Sequence, residues 1–241
     1  MKIAVTSDLH GYLPDIEPCE VLFICGDISP LDIQSNIPKM QVWLRNKFAS
    51  WINNLPCNQV LMVAGNHDFI FQWLTEHPEE MDFYIGKPTK YKLGILDGQE
   101  CNINSEEGPV YKVWGSPYCK IFYDWAFMVN DETLQIKYST IPKGCDVVIT
   151  HDAPKVGKYG TVLEGNYKNT EAGNKVLAKA IQDKMPRFHF FGHIHSGNHK
   201  LGKVKNYGKT QFANVSYVNE SYLPTNEILY LDIRKIRLYY L

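Results

Sequence analysis

The amino-acid sequence predicts an α/β fold that contains two sheets. Short apolar runs rich in Val, Ile and Phe recur along the chain and do not alternate with polar residues. Runs of this kind are typical of strands buried on both faces of a sheet. Stretches with apolar residues three and four positions apart lie between them and indicate helices.

Five of the predicted strands are followed at once by polar residues. Residues 3–5 run into TSDLHG, 21–25 into GDISP, 60–64 into GNHD, 147–149 into THDAP, and 188–191 into GHIH. In open α/β sheets, ligands bind outside the carboxyl ends of the strands. The sequence therefore predicts a binding site where these five strands end.

The other predicted elements complete the two sheets and their helices. A helix is predicted over residues 38–55, where Pro38 suits the first turn, and a second over residues 170–184. Residues 91–104 contain two short runs around Asp97 and Gly98, a pattern that indicates a hairpin. Further strands are predicted over residues 210–218 and 227–240, and with them we expect two sheets.

The composition is that of an ordinary globular protein. Of 241 residues, 44% are hydrophobic and 21% are charged, and no repeat or linker interrupts the chain. We therefore expect a single domain over residues 1–241. The net charge of −1 and the lack of a long basic block argue against a surface for duplex nucleic acid or anionic lipid. The aromatic-rich residues 114–125 leave single-stranded nucleic acid open as a disfavoured alternative.

The sequence contains neither a secretion signal nor a membrane span that we can identify. The start, MKIAVTSDLHG, has too short an apolar core for a signal peptide, and no apolar run approaches the ~20 residues of a span. We expect a cytoplasmic protein that does not bind membranes. The six cysteines include no C-x-x-C pair, so we expect neither a disulfide framework nor a thiolate zinc site.

The stretch FGHIHSG places two histidines at positions i and i+2, so both rings can point the same way at the end of a strand. The strand ends together supply two carboxylates, one amide and five imidazoles: Asp8, His10, Asp27, Asn66, His67, His151, His193 and His195. One ion cannot use so many ligands. Two ions that share a bridging carboxylate can, and paired metals are a known arrangement for hydrolysing phosphate esters.

The order of these motifs resembles the calcineurin-like metallophosphoesterase superfamily. The motifs D-x-H, G-D, G-N-H-D, a lone H after a strand and G-H-x-H follow one another from Asp8 to His195. The strings GSPY, DWAF, FGHIHSG and FANVSYVNESYLPTNEILYLDI also resemble the small brain-type metallophosphoesterase-domain proteins, which are similar to class III phosphodiesterases. The resemblance implies a four-layer α/β/β/α sandwich of two mixed sheets flanked by helices.

The resemblance also implies a role for each matching residue. Asp8, His10 and His195 would hold the first ion, and Asn66, His151 and His193 the second. Asp27 would bridge the two ions. His67 would face the substrate and either protonate the leaving oxygen or stabilise charge on the phosphoryl group. Asp68 would orient His67 through a hydrogen bond.

The expected activity is that of a hydrolase with a binuclear metal site. Two divalent cations would neutralise the phosphoryl charge, and a hydroxide between them would attack the ester. Nitrogen and oxygen ligands suit Mn²⁺, which we favour, and also Fe or Zn²⁺.

The substrate preference rests on a missing arginine. The protein-phosphatase pattern G-D-x-x-D-R-G is replaced here by GDISPLDI, and a phosphomonoester dianion usually requires a bidentate arginine. We therefore predict a phosphodiesterase for small or cyclic-nucleotide-like diesters. A phosphomonoesterase that uses Lys155, Lys158 and Lys168 is one alternative, and a non-catalytic metal-binding interaction module is another. The sequence does not indicate the oligomeric state.

Overall fold

The computed structural model describes residues 1–80, 92–104 and 108–234 of the chain. The strands are β1 (Lys2–Thr6), β2 (Cys19–Cys25), β3 (Cys57–Val63), β4 (Lys92–Ile95), β5 (Gln99–Asn104), β6 (Val110–Ser116), β7 (Cys119–Lys120), β8 (Met128–Val129), β9 (Val147–Thr150), β10 (Phe188–Phe191), β11 (Gly202–Lys203), β12 (Gln211–Asn214) and β13 (Leu229–Asp232). The α-helices are α1 (Ile37–Trp43), α2 (Ala49–Asn54), α3 (Phe69–Glu76), α4 (Asp131–Ser139) and α5 (Lys175–Lys184). A π-helical segment, Leu44–Phe48, joins α1 to α2, and 3₁₀ turns cover Pro78–Glu80 and Gly157–Gly160.

The described strands form two large mixed sheets. The first has the order β13-β1-β2-β3-β4, in which β1 to β4 are parallel and β13 is antiparallel. The second has the order β11-β12-β10-β9-β6-β5, in which β12, β10, β9 and β6 are parallel. A short ribbon pairs β7 with β8. The predicted α/β class with two mixed sheets is confirmed.

Side chains from the two sheets and the helices form three apolar layers. Phe23 of the first sheet and Phe190 of the second belong to the layer between the sheets. Ile24 points the other way and packs with residues of α1, α2 and α3. On the far side of the second sheet, Trp114 packs with residues of α4 and α5, including Leu177. The arrangement is the expected four-layer α/β/β/α sandwich.

The predicted helices differ from the structure mainly at one end. The helix predicted over 38–55 is present as α1, the π-helical segment and α2, and Asn36 caps it by accepting from Lys39 N–H at 3.1 Å. The helix predicted from residue 170 begins only at Lys175. The Asn174 side chain accepts from the backbone N–H groups of Val176 and Leu177, which fixes the start of α5.

The predicted hairpin around Asp97 and Gly98 is wrong. β4 pairs with β3 in the first sheet, whereas β5 pairs with β6 in the second. Only Gly98 has a positive φ, of 79°, while a tight type I′ hairpin requires positive φ at both central residues. The chain therefore crosses between sheets at this turn. Residue 91 of the predicted hairpin lies outside the described residues.

The two predicted C-terminal strands are shorter than expected. Within 210–218 the strand is β12, and within 227–240 it is β13. Residues 235–240 of the latter prediction lie outside the part of the chain that the structure describes. No helix in the described ranges is long and apolar enough to cross a membrane. A single domain over residues 1–241 stays a prediction.

Candidate metal centre

The polar residues predicted to form a site lie where parallel strands of both sheets end. In the first sheet, Asp8 and His10 follow β1, Asp27 follows β2, and Asn66 follows β3. In the second sheet, His151 follows β9, and His193 and His195 follow β10. Because the two sheets stack face to face, their carboxyl ends bring all seven side chains to one place.

The first group of side chains consists of Asp8, His10 and His195. Their ligand atoms all lie within 4.8 Å of one another. Asp8 Oδ1 is 3.3 Å from His195 Nε2, and His195 Nε2 is 3.4 Å from His10 Nε2. The structure thus brings together the three residues predicted to hold the first ion.

The second group is centred on Asn66. Its Oδ1 lies 2.8 Å from His151 Nε2 and 2.8 Å from His193 Nδ1. Asp27 lies between the two groups, with Oδ2 3.2 Å from His151 Nε2 and 3.8 Å from His10 Nε2. This position suits a carboxylate shared by two ions.

The hydrogen bonds of His151 and His195 indicate which ring nitrogens are free to bind a cation. His151 Nδ1 is 2.9 Å from the carbonyl of Cys25, and His195 Nδ1 is 3.1 Å from the carbonyl of Asn219. A carbonyl only accepts, so Nδ1 carries a proton in each ring. In a neutral imidazole, Nε2 is then a lone pair directed at other acceptors. Neutral rings of His151 and His195 would thus direct Nε2 lone pairs toward carboxylate oxygens, which are also acceptors. A cation between these atoms would satisfy both.

The pKa shifts indicate that, without ions, a proton on Nε2 of His151 takes the place of a cation. Burial alone would raise the pKa of Asp27, but the imidazoles, His151 foremost, hold it well below its usual range. Burial would lower the pKa of His151, yet the Asp27 carboxylate raises it to about 10. Burial lowers the pKa of both His10 and His193 to about 4. A proton on His151 therefore compensates the buried carboxylates, and divalent cations would replace it.

The backbone at the ligands is strained. Four of the seven candidate ligands have left-handed backbone conformations that non-glycine residues rarely adopt: Asp8, His10, Asp27 and His193, with φ of 53°, 43°, 54° and 69°. Conformations of this kind cluster at functional sites, where the surrounding structure holds them.

Two glycines allow the ligand loops to approach one another. A Cβ at Gly65 would lie 2.1 Å from Asp27 Oδ1, and one at Gly192 would lie 2.0 Å from Asp8 Oδ2. No side chain fits at either position. The loops after β3 and β10 therefore need glycine next to their ligands.

His67 lies at the edge of the cluster and is not part of either group. Its Nε2 is 4.0 Å from Asp27 Oδ2, and its Nδ1 is hydrogen-bonded to Gln34 Oε1. The Trp125 ring lies 4.5 Å from the His67 ring, centroid to centroid. Since the Gln34 carbonyl fixes the proton on Nδ1, Nε2 is the nitrogen directed toward the site.

Tyr222 packs over the first group, a contact that the sequence did not predict. Its ring centroid lies 4.9 Å from that of His10 and 5.0 Å from that of His195. Gln34, Trp125 and Tyr222 come from three separate loops, and no spacing in the sequence links them to the ligands.

The prediction that Asp68 orients His67 does not match the structure. The Asp68 carboxylate accepts hydrogen bonds from the backbone N–H groups of Ile28, Ser29 and Gly65, and from Ser29 Oγ. Asp68 thus ties the loop after β2 to the loop after β3. His67 Nδ1 is hydrogen-bonded to Gln34 Oε1 instead, and this contact orients the ring.

The residues left out of the predicted site have other partners. His189 is buried and lies 2.9 Å from Thr150 Oγ1, and His77 stacks on Trp73. Lys155, one of the lysines considered for phosphate binding, forms an exposed ion pair with Glu171 at 2.8 Å. A residue that the sequence did not predict, Cys119, has its sulfur within 4.8 Å of ring nitrogens of His151 and His193.

The fold and this cluster of ligands together are those of a metallophosphoesterase. The family model described as calcineurin-like phosphoesterase matches residues 1–197, and the chain belongs to that family. Its members are metal-dependent, and the family indicates a phosphoester hydrolase.

Known proteins resemble the chain over nearly all of its length. The human and mouse proteins named metallophosphoesterase domain-containing protein 1 are each 26% identical over 246 residues, which covers 96% of this chain and 71% of theirs. The predicted resemblance to metallophosphoesterase-domain proteins is confirmed.

Solved structures share the fold at lower identity. One crystal structure has a TM-score of 0.62 at 16% identity and covers 97% of this chain and 95% of its own. Phosphopantetheinyl hydrolase (PptH) from Mycobacterium tuberculosis has a TM-score of 0.54 at 12% identity and covers 92% of this chain and 90% of its own. At these identities the likeness concerns the fold alone.

Proposed function

We propose that the protein is a phosphodiesterase that uses two divalent ions to hydrolyse small or cyclic-nucleotide-like phosphodiesters. The observation that carries the proposal is the position of Asp27 between the two groups of ligands, with His151 on one side and His10 on the other. Asp8, His10 and His195 would hold one ion, and Asn66, His151 and His193 the other. Mn²⁺ is the metal proposed, with Fe or Zn²⁺ as alternatives.

The ions, when bound, would supply positive charge that neutralises the phosphoryl oxygens and lowers the pKa of the attacking water. The chain supplies the proton for the leaving oxygen. His67 holds one proton on Nδ1 through Gln34, so a second proton on Nε2 would face the substrate. Burial lowers the pKa of His67, and an anionic phosphate next to Nε2 would favour its protonation.

The preference for diesters follows from where positive side chains lie. Arg187 precedes β10, at the end of the strand opposite the ligands, and donates to the carbonyl of Ile233. Arg234 is paired with Asp232 at 3.2 Å. Lys155 is paired with Glu171. A diester monoanion needs less positive charge beyond the ions than a monoester dianion does.

The test compares diesters with a monoester on the same metal-loaded protein. Protein reconstituted separately with Mn²⁺, Fe²⁺ and Zn²⁺ is assayed on bis(p-nitrophenyl) phosphate, p-nitrophenyl phenylphosphonate and p-nitrophenyl phosphate, beside metal analysis. We expect faster turnover of the diesters, two ions per chain, and loss of turnover in Asp27→Asn. Faster hydrolysis of the monoester would reject the diester proposal.

A second pair of variants separates the alternatives. Lys155→Ala/Lys158→Ala should leave both activities unchanged, because Lys155 already pairs with Glu171. A loss on the monoester alone would favour a phosphomonoesterase. Absence of turnover in the parent protein, unchanged in His67→Ala, would favour a metal-binding interaction module.

We propose a small-molecule phosphoester as the partner, because a net charge of −1 without a long basic block does not favour nucleic acid. We also propose the cytoplasm as the location. Fractionation of cells that express a tagged chain would test the location.

A further inference from the structure

Cys119 lies beside the second group of ligands. Its sulfur and ring nitrogens of His151 and His193 all lie within 4.8 Å of one another, and the Cys119 side chain is fully buried. Zn–S is about 2.3 Å and Zn–N about 2.0–2.1 Å, so ligand atoms of one ion lie at most about 4.4 Å apart, and a small shift of these side chains would bring all three to one ion. The three side chains therefore form a potential ligand set that includes sulfur.

The fold holds the sulfur in this place through several contacts. β6 pairs beside β9, so the chain that leaves β6 toward Cys119 starts next to the chain that leaves β9 toward His151. Cys119 N–H donates to the Phe127 carbonyl at 3.0 Å, and Ala126 N–H donates to the Asn66 carbonyl at 3.0 Å. The loop that carries Cys119 is thus attached to the loop that carries Asn66.

The two groups of ligands differ in their chemistry because of this residue. Asp8, His10 and His195 offer oxygen and nitrogen only, and among the described residues no cysteine sulfur joins that group. Thiolate is a soft ligand that favours Zn²⁺ and other thiophilic ions, whereas carboxylate and carbonyl oxygens suit Mn²⁺ and Mg²⁺. A sulfur at one position only would make the two positions select different metals.

We propose that Cys119 is a thiolate ligand of the ion held by Asn66, His151 and His193, and that it makes this position select a thiophilic divalent metal. The inference rests on the proposed binuclear site and revises the choice of metal at one of its two positions. On binding, the S–H bond breaks, a sulfur–metal bond forms, and the proton passes to solvent.

Cobalt(II) is the probe that tests this ligand. Metal-free protein is titrated anaerobically with Co²⁺ while the absorption spectrum is recorded, for the parent chain, Cys119→Ser and Cys145→Ser. Cys145 is a matched control, because it is also buried, its sulfur donates to the carbonyl groups of Lys112 and Val147 at 3.4 and 3.2 Å, and it belongs to none of the potential ligand sets among the described residues. The parent and Cys145→Ser should show a near-ultraviolet sulfur-to-cobalt charge-transfer band, and Cys119→Ser should lack it.

A competition experiment measures the selectivity. Parent and Cys119→Ser proteins are equilibrated with mixtures of Zn²⁺ and Mn²⁺, and the bound metals are counted. In Cys119→Ser, the preference of the second position for Zn²⁺ over Mn²⁺ should fall by about 10–100-fold or more. Removal of a residue that only contacts a ligand already costs about 10–100-fold in metal affinity, and removal of a ligand should cost at least as much. Cys119→Ala serves as a second variant if the serine protein does not fold.

The outcomes separate this inference from the proposed function. Two bound Co²⁺ per chain without a charge-transfer band would overturn the thiolate ligand and leave the binuclear site standing. One bound Co²⁺ with the band would support Cys119 and overturn the binuclear site. Absence of Co²⁺ binding would overturn both.

Discussion

Replacement of Asp68 by alanine tests whether this carboxylate holds the two ligand loops together. Asp68 Oδ2 is 3.3 Å from Ile28 N and 2.8 Å from Gly65 N, and Oδ1 is 3.0 Å from Ser29 N. Asp68→Ala would leave three buried N–H groups without an acceptor, because the backbone of these loops is fixed by neighbouring strands. Ser29 Oγ, at 2.6 Å, can rotate to another partner.

The magnitude follows from the donors that remain. A buried donor left unsatisfied costs about 1–3 kcal/mol, so three donors cost roughly 3–9 kcal/mol. Burial, with help from the Asp27 charge, raises the pKa of Asp68 to about 6, so the variant also loses a destabilising charge worth about 3 kcal/mol at neutral pH. We expect a net loss near 3 kcal/mol, or about 6–12 °C in Tm for a chain of this size.

The assay is urea unfolding at pH 7.5 together with a metal titration of the folded protein. Asp68→Ala should unfold at lower urea and bind metal about 10–100-fold more weakly. Asp183→Ala, which removes an exposed carboxylate paired with Lys179, is the control and should stay within about 0.5 kcal/mol of the parent. Parental stability and metal affinity in Asp68→Ala, combined with a large loss of turnover, would refute the structural role and restore a catalytic one.

Three further predictions concern the site and the core. His67→Ala should retain its metal ions, measured by elemental analysis, while turnover of a diester falls by about 10²–10⁴ because the proton donor is lost; reduced metal content would contradict the placement of His67 outside both groups of ligands. Burial lowers the pKa of His189 to about 3, so the unfolded chain takes up a proton that the folded chain does not, and stability present above pH 6.5 is lost on acidification. From pH 7 to pH 5 this amounts to about 2 kcal/mol in urea unfolding, and His189→Gln should remove that part of the slope; an unchanged slope would show that His189 is not the group responsible. Removal of the ions with a chelator should lower Tm, and re-addition should restore it, because a ligand that binds only the folded chain stabilises it; equal Tm values would argue against bound metal.

The ligand positions could be predicted because each lies directly after a buried apolar strand. Val21 to Cys25 and Val147 to Thr150 have apolar runs that fix both the strand and its end, and a parallel sheet then brings Asp27 and His151 to the same edge. The position of each strand end can therefore be predicted from the local sequence alone. The structure brings the seven predicted side chains together, and their roles as metal ligands stay predictions.

The contacts around the ligands could not be predicted from the same signals. Asp68 stands beside His67 in the sequence, yet its oxygens face Ile28, Ser29 and Gly65, which only the stacking of neighbouring loops decides. Cys119 lies three residues after the end of β6, in the two-residue strand β7. A strand of two residues is too short to be predicted from the sequence.

The turn at Asp97 shows a different limit of sequence reasoning. The residues around Asp97 and Gly98 are as suitable for a hairpin as for a turn that crosses from one sheet to the other, which is what the structure has. The choice between them depends on which sheet has an open edge for β5, and that is a property of the whole fold.

The left-handed backbone at Asp8, His10, Asp27 and His193 has a consequence for laboratory evolution of this protein. Glycine adopts such conformations without strain, so glycine at His10, whose side chain accepts no backbone hydrogen bond from the described residues, would relieve about 1 kcal/mol while it removes a ligand. A screen for heat resistance that is run with a chelator, and so without the stabilising ions, would therefore favour inactive chains with glycine at this position. Thermostable descendants that still work can be obtained only when turnover is selected in every round.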